Sequence, residues 1–213
     1  MMYYGAVVME LVGFPDDESV QLTALLAATQ GLGLILAMWL YARLPRRQVL
    51  FSSMSGVIVG LLGISFSFTS ISNYQGLAMG SVLLYLFTFG LGFSSGPFIL
   101  DSEVFPTSIR ATGAATGATA MWVANFLVSA TFLTEVDSVG ESTAFLGYAL
   151  MTMATLAYLY AYMPETYGLS CEEAYALLEE QDRQGQGAKG DASSAAGDMD
   201  EASPMISGPT SKG

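Results

Sequence analysis

The chain has 213 residues, of which 52% are hydrophobic and only 12% charged, with a mean hydropathy of +0.48. A soluble domain carries about twice that share of charge, so the outside of this protein must itself be apolar, as in a helix bundle dissolved in lipid. With no His and a single Cys, Cys171, the sequence excludes a His/Cys metal cluster, a Cys–His dyad and an internal disulfide; the net charge of −12 speaks against nucleic acid as a partner.

The first segment, MMYYGAVVMELVGF, lacks the basic start and small-residue cleavage site of a signal peptide and reads as part of a spanning helix. It is short, because Pro15 follows where about 20 residues are needed to cross the hydrocarbon. Apolar runs then follow over 20–42, 49–69, 76–99, 112–134 and 142–163. Each has the length of a tilted membrane helix, and none alternates as a barrel strand would, so the fold class is all-α with six membrane segments. Glycine pairs four apart, at Gly56/Gly60, Gly76/Gly80, Gly92/Gly96 and Gly113/Gly117, read as places where helices approach closely.

The connectors alternate in charge. Arg43, Arg46 and Arg47 follow the second segment and Arg110 precedes the fifth, whereas PDDESVQ (15–21), SISNYQ (70–75) and EVDSVGE (135–141) contain no basic residue. This positive-inside pattern predicts a cytoplasmic C-terminus. Glu10, near the outer end of the first segment, reads as reaching the interface. The domain reading is a six-helix transmembrane half-bundle over 1–163, a polar motif and short helix over 164–184, and a disordered tail over 185–213. Ser170 and Glu173 have capping-box spacing for that short helix, and the tail, rich in Gly, Ala, Ser and Asp, has almost nothing to bury. Residues 165–213 hold ten acidic residues against three basic ones, so most of the net charge resides there.

Within the spans, Gln30 and Asn125 are uncharged amides that offer donors and acceptors suited to sugar hydroxyls, or to hydrogen bonds between helices. Trp122 shares a helical face with Asn125 and could stack on a sugar ring or pack against lipid. Charges gather at the basic end: Arg43, Arg46, Arg47, Glu103, Arg110 and Glu165. The two acids add nothing to topology, so these residues read as a cytoplasmic ion-pair network that breaks when a cavity opens inward.

Four motifs in order carry a family resemblance. MYYGAVVMELVGF is similar to MYYxPxIFExAGF; ARLPRR stands where D-R-x-G-R-R falls; ExFPxxxRxxG is met by Glu103, Phe105, Pro106, Arg110 and Gly113; and PETYGLSCEE, Pro164 to Glu173, answers PETKGxSLEE. Over residues 1–181 the chain resembles the C-terminal half of a sugar porter of the major facilitator superfamily, helices seven to twelve with the seventh truncated. The resemblance implies that Tyr3 and Tyr4 contact sugar and close the outer gate. It also implies that Gln30, Trp122 and Asn125 bind sugar, and that Phe98 replaces the family's larger aromatic plate on the tenth helix.

Departures accompany it. Ala42 and Pro45 replace the acid and glycine of the eighth-to-ninth loop, and Tyr167 replaces a basic residue. Gly90 and Met121 stand where some members carry a glutamate and an amide, and the QQ-x-x-G-I-N stretch that supplies further sugar-binding side chains would lie upstream of residue 1. The reading is therefore a fragment or half-length product of a monosaccharide or polyol transporter, not an enzyme and without a cofactor. Its implied partners are the sugar, the lipid bilayer and a missing N-terminal half. The alternative is a non-transporting half-size regulator or sugar sensor that pairs with a full transporter. The sequence leaves open plasma or organelle membrane, and proton symport or facilitated diffusion.

Topology is directly testable. Accessibility tags placed in 15–21, 70–75 and 135–141 are expected to label from the outer or lumenal side, and tags in 43–48, 101–111 and the tail only after permeabilisation. A basic loop labelled from outside would overturn the assignment.

Overall fold

Gly140 does by itself what most helix connections need several residues to do. Its backbone, at φ 83° and ψ 155°, lies in a region open essentially to glycine alone. Its N–H donates to Val136 O at 3.0 Å to close one helix, and its C=O accepts from Ala144 N–H at 3.0 Å to open the next. Two long membrane segments thus turn back on each other through one residue.

A computed structural model describes residues 5–69, 75–105 and 107–163, together with Glu173 and Ala176. In chain order these form α1 (Gly5–Val12), α2 (Asp16–Arg43), α3 (Arg46–Thr69), α4 (Gln75–Thr88), a π-helical turn (Phe89–Phe93), α5 (Gly96–Val104), α6 (Arg110–Val139) and α7 (Glu141–Tyr162). No strand occurs among the described residues. Five stretches are long and apolar enough to cross a membrane: Gln21–Arg43, Arg46–Thr69, Gln75–Asp101, Arg110–Val139 and Glu141–Tyr162. The five long apolar runs of the sequence are therefore helices, and α1 is short. The expected short helix after Pro164 and the tail from 185 lie outside the described residues, apart from Glu173 and Ala176, which are helical.

The bundle is held by close backbone approach. Gly56, Gly60 and Gly63 form one ridge of α3 that meets Thr88, Tyr85 and Ser81 of antiparallel α4; a methyl carbon at Gly56 would lie 2.4 Å from Thr88 Cγ2. Small residues let helices touch where no hydrophobic drive separates lipid from protein. Gly92 and Gly96 likewise meet Ser53 and Tyr41, and Gly113 and Gly117 of α6 meet Phe105 and Asp101. Gly76 and Gly80 behave differently from the sequence expectation: no atom would contact a methyl there, because that face of α4 is exposed.

On the other side of α3, α7 is fastened by a reciprocal serine pair. Ser65 Oγ donates to Ser142 O at 2.8 Å and Ser142 Oγ donates to Ser65 O at 2.9 Å. The main core lies beside this pair, where Phe145 stacks on Phe68 with centroids 5.9 Å apart and packs with Leu61, Ile64 and Phe132. A second, smaller core of Ala37, Tyr41 and Val49 lies nearer the arginines.

The run expected as one helix over 76–99 is interrupted. At Phe89–Phe93 the turn widens, with Ser94 N–H donating to Phe89 O at 2.9 Å, before α5 opens with Pro97 in its first turn. Two glycines and a nearby proline, which has no N–H, make the regular ladder hard to continue here.

Gly140→Ala is expected to cost about 1–3 kcal/mol in reversible denaturant unfolding of the purified chain, because alanine must adopt a backbone conformation that its Cβ disfavours. Gly147→Ala, where a methyl would meet nothing within 4 Å, serves as the control and should leave stability nearly unchanged. Equal effects at both positions would mean that the turn geometry is not set by glycine.

Candidate functional site

In hydrocarbon the freed backbone groups of a widened turn need side-chain partners, and two neighbouring helices supply them. Ser53 of α3 donates its Oγ–H to Thr88 O at 2.6 Å and accepts Phe93 N–H at 2.9 Å. Tyr41 of α2 donates its hydroxyl to Gly92 O at 2.9 Å. The π turn is thereby pinned to α2 and α3 together.

Against this pinned turn α2 presses its backbone. A methyl carbon on Gly90 would sit 2.5 Å from Gln30 O, and one on Gly33 would sit 2.4 Å from Phe87 O. Gln30 therefore stands at the point where two backbones touch. Its side chain is half-buried, and its Oε1 is buried with no hydrogen-bond partner. Ser95 Oγ, just past the π turn, is in the same condition. A buried polar atom without a partner is costly, most of all in a membrane span.

Trp122 and Asn125 lie one turn apart on α6, as their spacing requires, and line an open concavity of about 300 Å³ with Phe126 and Ser129. Trp122 is 58% exposed. Asn125 Oδ1 accepts from Ser129 Oγ at 3.4 Å, a long bond that leaves most of the amide's capacity unused. All four lining residues belong to α6, so Gln30 and Phe98 form no part of this concavity. Phe98, 49% exposed, projects from α5 immediately after Pro97. Tyr3 and Tyr4 lie outside the described residues. The expected sugar-binding residues that the structure describes thus stand in three places: Gln30 at the contact of α2 with the π turn, Trp122 and Asn125 on the open face of α6, and Phe98 on α5.

Among the expected charge network, Arg47 has the best-defined surroundings. Its Nη2 donates to Tyr160 O at 2.7 Å, and its guanidinium lies 5.1 Å from the Tyr160 ring and 5.2 Å from the Phe51 ring. It joins the start of α3 to the end of α7. Arg46 donates to Tyr41 O, Arg43 lies 5.1 Å over the Trp39 ring, and Arg110 Nε donates to Phe105 O at 3.2 Å. The Glu103 side chain and Glu165 lie outside the described residues.

Tyr41, Ser53 and Gly33 escaped the sequence reading. Their signal was indirect: a hydroxyl on each neighbouring span, and a glycine one turn beyond Gln30, are meaningful only once the π turn they serve is known.

Comparison with known proteins supplies the remaining findings. The family model described as "Sugar (and other) transporter" matches residues 1–178. The chain is similar to the plastidic glucose transporter 4 of Arabidopsis thaliana, 32% identical over 176 residues that cover 81% of this chain and 32% of that protein. It is similar also to the myo-inositol transporter 1A of Cryptococcus neoformans, 29% identical over 188 residues that cover 81% of this chain and 33% of that protein. The chain thus spans about a third of the length of these relatives. Among solved structures it resembles the major facilitator superfamily proton:xylose symporter XylE bound to 6-bromo-6-deoxy-D-glucose. The TM-score is 0.74 at 24% identity, covering 83% of this chain and 38% of that one.

The α2 contact generates a prediction of its own. Gly90→Ala is expected to force α2 away from the π turn and to cost about 1–3 kcal/mol, the range for overpacking a close contact, as read by thermal unfolding. Gly31→Ala, on α2 but with open space around it, should be tolerated. Tolerance of both would show that α2 does not rest on the π turn.

Proposed function

The chain belongs to the sugar (and other) transporter family, and from that premise we propose that it supplies the C-terminal wall of a pathway for a monosaccharide or polyol. It is an integral, multi-pass membrane protein with the fold of the major facilitator superfamily. In the proposed protein this six-helix unit faces an N-terminal counterpart, and the two rock about a midplane site by alternating access.

The observation that carries the reading is the buried, unpartnered amide oxygen of Gln30 in the middle of a membrane span. An amide oxygen accepts, and a sugar hydroxyl donates. Asn125 on α6 offers the same chemistry from a second surface, and Trp122 and Phe98 offer ring faces for the C–H surface of a pyranose. Similarity to glucose and myo-inositol transporters supports a neutral, hydroxyl-rich substrate. Tyr3 and Tyr4 close the outer side in this proposal. Arg43, Arg46, Arg47, Glu103, Arg110 and Glu165 clasp the cytoplasmic side in one state and part in the other. The basic loops and the C-terminus face the cytoplasm on the same charge argument that orients other helical membrane proteins.

Equilibrium sugar binding tests this. In the chain joined to the N-terminal half of a relative, Gln30→Ala is expected to lose about 1–3 kcal/mol of affinity, the scale of one hydrogen bond, and Gln30→Asn to lose less. Full affinity in Gln30→Ala would remove the amide from the site.

A further inference from the structure

Behind the candidate sugar walls the bundle encloses a second space. A cavity of about 220 Å³ lies between α3, α4 with its π turn, α6 and α7. It shares no residue with Gln30's contact or with the α6 concavity. Its floor is Met54, Val57 and Leu61 of α3, and its inner wall is the rings of Tyr85, Phe89 and Phe93.

The cavity is closed at one end and open at its side. Near the Gly140 turn, α6 and α7 meet through Phe132, which lies edge-on to Phe145 at 6.1 Å and stacks near Tyr148 at 6.5 Å. Farther from that turn the helices part: Val128 and Met151, both lining the cavity, are 48% and 70% exposed. At 1.5 Å per residue, Met151 lies about 15 Å along α7 from Glu141, which places the opening near the middle of a hydrocarbon layer about 30 Å thick. Where the mouth between α6 and α7 faces the bilayer, the medium at that depth is neither water nor headgroup but the ends of acyl chains.

Chemistry inside the cavity agrees with its depth. The Thr152 and Thr155 hydroxyls donate to Tyr148 O and Met151 O at 2.8 and 2.9 Å, and Tyr148 donates its own to Glu135. Among the described residues this leaves the Tyr85 hydroxyl as the remaining polar side chain of the wall. A sugar entering here would give up its hydration for one phenol, whereas an acyl chain gives up nothing. An empty cavity, in turn, forfeits the dispersion contacts of every aromatic ring that lines it.

We propose that this cavity is a lipid site: the terminal segment of a phospholipid acyl chain enters between Val128 and Met151 and packs on Tyr85, Phe89 and Phe93. The tail fills the gap that α6 leaves against the π turn. Because α6 also carries Trp122 and Asn125, the bound tail sets how far that face stands from the turn that Gln30 of α2 touches. The site requires only the membrane-embedded bundle and stands whether or not the substrate is a sugar.

The test uses the 213-residue chain reconstituted in phosphatidylcholine vesicles that contain an analogue with a photoreactive diazirine at the end of one acyl chain. After illumination, adducts mapped by mass spectrometry are expected on the inward-facing Tyr85, Phe93 and Thr152, as well as on the outward-facing Ile35 and Val59. Plugging the space with Thr152→Phe should abolish adducts on Tyr85 and Phe93 and leave those on Ile35 and Val59 as internal controls of folding and insertion. Adducts confined to outward-facing residues in the unmodified chain would overturn the proposal without any variant. So would labelling of a Thr152→Cys chain, with Cys171 replaced by Ser, by a water-soluble maleimide, since that would make the cavity aqueous.

Discussion

Lipid offers backbone groups no hydrogen bonds, and every unpaired one costs several kcal/mol. The site arises where the chain meets that constraint. A membrane helix that loses its regular ladder at Phe89–Phe93 survives because Ser53 bridges Thr88 O and Phe93 N–H and Tyr41 caps Gly92 O. Those bonds draw α2 and α3 onto the same turn, and the contacts at Gly33, Gly56, Gly60 and Gly90 let the backbones come close enough for the bonds to form. Replacing any one of these residues affects the others, since a helix pushed outward by a methyl group also withdraws its hydroxyl.

The break shapes the surface presented to α2 as well as the fold. A uniform α-helix from Gln75 to Val104 would present a featureless ridge to α2. The widened turn instead brings the Gly90 backbone against the Gln30 carbonyl and leaves the Gln30 amide oxygen buried without a partner. The cost of that unsatisfied atom is borne by the pinned scaffold around it, and a ligand hydroxyl would recover it. The α6 face is arranged differently. Helix α6 packs on α5 through Gly113 and Gly117 and on α7 through Phe132 and Val136, leaving the face with Trp122, Asn125 and Phe126 open. One surface is closely packed and the other exposed, a division suited to the alternating access proposed above.

Much of this was legible in the sequence, for physical reasons that differ by element. The spans were plain because lipid demands about 20 apolar residues in a row, and α2, α3, α6 and α7 obey that rule within a few residues of where the runs suggest. The pairing of Trp122 with Asn125 follows from helical spacing alone. The tenth helix of the family pattern was harder. Hydropathy does not distinguish a π turn from an α turn, and the hydroxyls that make the π turn possible, on Ser53 and Tyr41, come from other segments. Glycine spacing was informative but not sufficient: Gly56 and Gly60 meet α4, whereas Gly76 and Gly80, spaced identically, face outward. The cavity behind the π turn had no sequence signature, since its walls use the same Phe, Tyr, Met and Val that fill the core elsewhere.

The central claim is that two amides on separate walls, Gln30 and Asn125, converge on one hydroxyl-rich ligand. Solid-state NMR tests it most directly, with side-chain amide ¹⁵N labels in the chain completed by an N-terminal half and a ¹³C-labelled monosaccharide added. The account predicts sugar-to-amide correlations at both Gln30 Nε2 and Asn125 Nδ2, lost together when an unlabelled competitor sugar is added. Correlations at neither amide, with sugar bound at saturation, would contradict it.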